Sequence, residues 1–110
     1  MGEIVRIDTH DVPWFDYKDD ASDGPPPIRV KPLTRGRSGV PPVQFVEYAP
    51  GHEDPMHSHD TDEIFVVVEG EIQLEGITNG AGSIVFVPRE TEYAVKAGPD
   101  GARYYRIVTS

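Results

Sequence analysis

Turn residues cut this chain into short β-forming runs, and their spacing constrains the fold more than any other feature. The runs VQFVEYA (43–49), EIFVVV (63–68), EGEIQLEG (69–76), GSIVFVP (82–88), EYAVKA (92–97) and ARYYRIVTS (102–110) are the strand candidates, and all but EGEIQLEG are rich in β-branched and aromatic residues. They recur about every 8 to 12 residues between turn signals, the rhythm of a sandwich or barrel. Proline and glycine number 11 each in 110 residues, where average usage is about 5% and 7%. No stretch keeps a 3.6-residue apolar period, so long helices are excluded. The chain reads as one all-β domain over residues 1–110, with a closed or double-sheet antiparallel architecture.

Charge narrows the partners. Ten basic against nineteen acidic residues leave a net charge of −9, which argues against a nucleic-acid surface and suits a protein that binds cations. There is no cysteine, hence no disulfide framework and no thiolate metal site. The first ten residues lack the basic flank and apolar core of a signal peptide. The longest apolar run, Ile64 to Val68, is far too short to span a bilayer. The expectation is a cytoplasmic protein with no membrane and no nucleic-acid partner.

The N-terminal third is read less firmly from pattern. EIVRID (3–8) alternates apolar and polar residues and predicts a strand. HDVPWFDYKDDASDGPPP predicts a surface segment pinned by Trp14 and Phe15, with Pro25 to Pro27 extended; the competing reading is a flexible acidic loop. IRVKPL predicts an edge strand because of Pro32. Four of the ten basic residues fall between Arg29 and Arg37, either as a binding strip or as charges guarding a solvated edge.

The chemistry gathers in GHEDPMHSHDTDEIFVVVEG (51–70), which holds three of the four histidines. On a strand, residues i and i+2 point the same way, so His57 and His59 project side by side. The three-residue DTD connection suits a hairpin that returns Glu63 beside them. Two imidazoles and one carboxylate with open positions form a facial set suited to Fe(II), and also to Mn, Ni, Co or Zn. Phe65 and Val67 share the face of Glu63 and would line an apolar pocket, while Ile64, Val66 and Val68 make the other face apolar too. This strand is therefore expected to be buried on both sides, where a bare carboxylate is costly and a metal would offset that cost. The bland reading is a solvated polar turn. His52, in PGHEDP, reads as an exposed residue rather than a ligand, and His10 is isolated.

These residues resemble the cupin superfamily. Its first motif is matched at Gly51, His57, His59, Glu63 and Gly70, and its second in part at Gly82 and Pro88. At the positions where that second motif carries a glycine, a histidine and an asparagine, this chain has Glu90, Tyr93 and Ala97. The resemblance implies an antiparallel jelly-roll β-barrel, a homodimer sharing edge strands, and a divalent metal ion (Fe, Mn, Ni or Zn) held inside by His57, His59 and Glu63. Tyr93 then stands in place of the fourth ligand. Three roles are open to it: binding the metal as phenolate, serving as an acid or hydrogen-bond donor to a small-molecule ligand, or marking a site that has lost its metal. Two functions follow, a metal-dependent enzyme of dioxygenase or isomerase/lyase type, or a non-enzymatic binding or sensing module.

Overall fold

The computed structural model describes residues 4–17, 26–35 and 40–109. After a short 3-10 turn at Thr9–Asp11, eight strands follow: β1 (Phe15–Tyr17), β2 (Ile28–Thr34), β3 (Val43–Tyr48), β4 (Glu53–His57), β5 (Glu63–Leu74), β6 (Ile77–Gly80), β7 (Ile84–Val87) and β8 (Tyr93–Val108). All pairings are antiparallel, in the order β1-β2-β3-β8-β5-β6, with β4 also on β8 and β7 also on β5. The result is the jelly-roll barrel. The long strands β5 and β8 run through both of its sheets. The C-terminal half of β5 pairs with the N-terminal half of β8 (Ile72 with Ala97, Leu74 with Val95), while the N-terminal half of β5 pairs with the C-terminal half of β8 on one side (Ile64 with Ile107) and β7 on the other, and that half of β8 also pairs with β3.

Each long strand was expected as two short ones. Gly70 does not end β5, and the Gly98–Gly101 stretch does not end β8; both are bulges where the register shifts and the chain bends between sheets. Gly70 has φ +66°, and a Cβ there would sit 2.1 Å from the Gly101 carbonyl oxygen. The two backbones can touch only because no side chain intervenes. A true reversal follows at Glu75–Gly76, with φ 51° and 78°. Positive φ at both central residues makes a two-residue hairpin turn whose twist matches β5 and β6.

Alternation sets the core. Glu63, Phe65 and Val67 on β5 point inward, as do Val46 and Tyr48 on β3, Val95 and Tyr104 on β8 and Val30 on β2; all are buried. The opposite face of β5 departs from expectation: Ile64 and Val66 are half-buried and Val68 is 39% exposed, so the strand is covered on one side only.

The N-terminal strand is not formed. Residues 4–8 take no regular structure, and Ile4, Val5 and Ile7 are exposed. Alternation alone cannot make a strand without a neighbour to bond to. Trp14 does pin its segment, stacking on Phe45 at 5.7 Å, whereas Phe15 is 49% exposed. The acidic stretch 18–25, including Pro25, lies outside the described residues, as does Arg37. The basic residues of β2 are neither a free strip nor solvated. Arg29 lies 4.4 Å over the Trp14 ring and bonds Glu47, and buried Lys31 donates to the Thr9 carbonyl. Pro32 sits beyond the reach of β1, which pairs only with Ile28–Val30, so its missing N–H faces no strand among the described residues.

Candidate functional site

A cavity of about 290 Å³ opens inside the barrel, and its walls include His57, His59, Phe65, Tyr93, Tyr104 and Arg106. The histidines arrive differently from the expected hairpin. β4 pairs with β8, bringing His57 opposite Tyr93, while Glu63 opens β5 and pairs with Val87 and Val108. The DTD connection therefore crosses between sheets, and β4 and β5 are not neighbours. His59 lies past the end of β4 in that connection. The two imidazoles still meet, edge to face with centroids 4.9 Å apart.

Local bonds orient these groups. The Nδ1 of His57 lies 2.8 Å from the Pro55 carbonyl oxygen. A carbonyl can only accept, so this nitrogen carries the proton and Nε2 keeps its lone pair. Glu63 is 1% exposed. Its Oε2 accepts from Arg106 Nε at 2.5 Å, and its Oε1 has no hydrogen-bond partner among the described residues, with His59 Nε2 3.5 Å away. Gln44 receives the Arg106 Nη1 proton at 3.2 Å. Tyr93 is buried, with its ring 4.6 Å from that of His57 and 6.0 Å from that of Phe65. Burial, reinforced by the negative Glu63, holds its phenol well above the ordinary tyrosine range. Phe65 lines the cavity; Val67, two residues on, is buried in the core away from that wall.

The donor chemistry fits a divalent transition metal. Two imidazoles, one with its tautomer set, line the cavity, and that of His59 stands 3.5 Å from a buried carboxylate oxygen with no hydrogen-bond partner among the described residues. Yet among the described residues no three His, Asp or Glu side chains are drawn into a closed cluster, and Arg106 supplies a positive charge to Glu63. His57, His59 and Arg106 line the cavity, and Glu63 is buried against Arg106 and 3.5 Å from His59.

A second polar chain was not foreseen. Tyr104 donates to the Tyr48 oxygen at 3.0 Å, Tyr48 donates to Asp54 Oδ2 at 2.5 Å, and His52 Nε2 bonds Asp54 Oδ1 at 2.9 Å. His52 is thus no exposed turn residue; its side chain is 18% exposed and it packs edge-on against Tyr48. Both phenols are raised far above their ordinary range, chiefly by burial. Tyr48, Asp54 and Tyr104 all line the cavity. Parity carries a signal for part of this: Gln44 and Tyr48 share the face of Val46, and Tyr104 and Arg106 share one face of β8, so polar groups at core positions mark the site. A larger groove of about 810 Å³ elsewhere is lined by Arg29, Glu47 and Arg103. Its two arginines both bond Glu47, and it contains no histidine.

The jelly roll, with these histidines at its cavity, is that of a cupin, and residues 44–107 match the cupin domain family. The chain belongs to that family. It is 28% identical over 84 residues to the dimethylsulfoniopropionate lyase DddW of Ruegeria pomeroyi, a match covering 70% of this chain and 55% of the lyase. This chain thus spans about half the length of that relative. Its fold is similar to an RmlC-like cupin from Ralstonia eutropha (TM-score 0.81, 19% identity, 98% of this chain and 69% of that one). It is also similar to the polyketide cyclase RemF from Streptomyces resistomycificus (TM-score 0.76, 20% identity, 96% and 79%).

Proposed function

We propose that this cupin is a metal-dependent enzyme of lyase or isomerase type, acting on a small organic molecule inside the barrel. The observation that carries this reading is the cavity itself. Its lining brings together His57, His59 and Tyr93, with buried Glu63 behind Arg106, and the Tyr104–Tyr48–Asp54 chain. Its volume lies at the small end of ligand sites, which run from about 300 Å³ upward. The match to a lyase supports the reaction class, as does the phenol chain, which is built to move protons.

His57, His59 and Glu63 would hold the metal, and Glu63 would exchange part of its Arg106 pairing for it. A divalent metal there supplies Lewis acidity, polarising a carbonyl or hydroxyl oxygen. The chain's own residues do the rest. Phe65 and Val95 present apolar surface to the substrate carbon skeleton. Arg106, fixed by Gln44 and Glu63, faces the cavity as an anion-binding group and selects substrates bearing a carboxylate. Tyr93, kept protonated by burial, donates a hydrogen bond or a proton to the substrate. In the same cavity, every hydrogen of the Tyr104–Tyr48–Asp54 chain points toward the carboxylate. A proton leaving the substrate for the Tyr104 oxygen would be matched by transfer from Tyr104 to Tyr48 and from Tyr48 to Asp54.

The test is thermal unfolding of metal-stripped protein with added Fe(II), Mn, Ni or Zn. Binding to the folded state raises the midpoint. We expect at least one metal to raise it in wild type, and His57→Ala and His59→Ala each to abolish the rise while staying folded. Tyr93→Phe should keep the rise but lose turnover with small carboxylates. A wild-type midpoint indifferent to all four metals would sink the metalloenzyme reading. Metal binding with no turnover, but stabilisation by a small acid, would favour a binding module.

A further inference from the structure

Tyr93 stands between two spaces. On one side is the cavity already described, where its ring centroid lies 4.6 Å from that of His57 and 6.0 Å from that of Phe65. On the other is a second pocket of about 290 Å³, whose walls include Leu74, Val85, Val87 and the same tyrosine. Among the described residues, Tyr93 is the one residue common to both linings. Strand geometry fixes its place. Tyr93 opens β8 opposite His57 and shares the inward face of Val95 and Ala97, all three of them buried. Its ring is thus packed as a wall and not presented to solvent.

The two spaces differ in chemistry. The cavity holds Arg106, fixed by Glu63 and Gln44, which suits a carboxylate. The second pocket is lined mostly by apolar residues, and the one charged residue in its lining is exposed Glu75. A carboxylate would be repelled there, whereas an aliphatic chain would bury itself against Leu74 and Val87. An acid whose head lies at Arg106 could extend its chain into this pocket only past Tyr93.

We propose that Tyr93 is the specificity-determining residue of the site: its ring closes the cavity off from the apolar pocket and so confines the substrate to small acids. The proposal rests on the reading of the cavity as a small-acid site, and adds to it a limit on chain length. This role belongs to the bulk of the ring and not to its hydroxyl, so phenylalanine keeps it. Butyrate fits the cavity as it stands; octanoate, extended, needs both spaces. Shortening Tyr93 to alanine joins two spaces of similar volume and so roughly doubles the room. Each methylene then taken out of water strengthens binding roughly fourfold.

Butyrate and octanoate, titrated into the full chain as purified and after metal stripping, test this when binding is followed by methyl NMR shifts. Val95 reports on the cavity, and Leu74 and Val85 report on the second pocket. In wild type and in Tyr93→Phe, octanoate should bind no tighter than butyrate, with Val95 shifted and Leu74 and Val85 unmoved. In Tyr93→Ala, octanoate should bind at least tenfold tighter than butyrate and shift all three; Tyr93→Val serves in its place if that variant does not fold. An octanoate preference in wild type or Tyr93→Phe, no gain in the shortened variant, or a gain that leaves Leu74 and Val85 unmoved would each overturn the proposal. The readout needs neither metal nor turnover. Indifference to metals together with the expected length limit would sink the metalloenzyme reading alone, and an intact metal response in a wild type that prefers octanoate would sink the partition alone.

Discussion

Glu63 and Arg106 show how much one buried pair can decide. The carboxylate is 1% exposed and its strongest bond is to Arg106. Removing one partner of such a pair leaves an uncompensated charge, which costs about 3–5 kcal/mol. Arg106→Met is therefore expected to lose about 3 kcal/mol in urea unfolding, and adding Glu63→Met should restore most of it; a single-variant loss under about 1 kcal/mol would show that the pair is solvated. Glu90 makes the opposite case. It occupies a family glycine position and keeps glycine geometry, with φ 60°, while its N–H bonds the His59 carbonyl at 2.7 Å. Left-handed backbone costs a side-chain-bearing residue about 1–2 kcal/mol. Glu90→Gly should stabilise the fold by about 0.5–1 kcal/mol after the added freedom of the unfolded chain is counted. Destabilisation would mean that the Glu90 side chain makes a compensating contact. The histidines and Glu63 were legible because a spaced motif survives in sequence. Arg106 was not, since its partner lies 43 residues away, and His52 was not, since its near neighbour Asp54 is tied to the cavity only through Tyr48 on another strand.

At the scale of elements, glycine chemistry reads ambiguously. Glu75–Gly76 reverses the chain, while Gly70 and Gly101 only let β5 and β8 cross closely. Local composition is alike in both; the difference lies in what stands opposite. Gly70→Ala would put a methyl 2.1 Å from a carbonyl oxygen on backbone that already disfavours a side chain. It should cost about 3 kcal/mol or more, or prevent folding, by the mechanism of strain at a special backbone position. Gly76→Ala has nothing within 4 Å to meet and should cost only the left-handed penalty of about 1–2 kcal/mol. Equal losses in the two variants, measured by denaturant midpoint, would refute the close-crossing account. The same ambiguity explains why β5 and β8 were each expected as two strands, and why the DTD segment, with hairpin length, joins strands that are not neighbours.

Over the whole molecule, three phenols tie the barrel to alkaline pH. Tyr48, Tyr93 and Tyr104 are raised above their ordinary range, with burial the largest cause for each. In the unfolded chain a tyrosine loses its proton near pH 10, whereas these keep theirs in the folded state. Above about pH 10 the unfolded chain therefore binds fewer protons, and stability must fall as pH rises; below that it is unaffected by these groups. Urea unfolding from about pH 8 to 11, with phenolate absorbance followed in parallel, should show stability falling only past pH 10. Stability that stays level to pH 11 would mean the phenols titrate freely. Among the described residues no helix is long and apolar enough to cross a membrane.

By itself the sequence determined the fold class and the inward parity of β5, and it singled out His57, His59 and Glu63 as candidates, because strand alternation, turn chemistry and motif spacing are local properties. Only the tertiary structure decided that β4 pairs with β8 rather than with β5, that Arg106 claims Glu63, and that His52 begins a chain of phenols reaching the cavity. It also decided that the strand pattern of Ile4–Asp8 finds no pairing strand among the described residues. Each of these depends on which distant segment arrives opposite, and pairing between distant segments is set by closing the barrel as a whole.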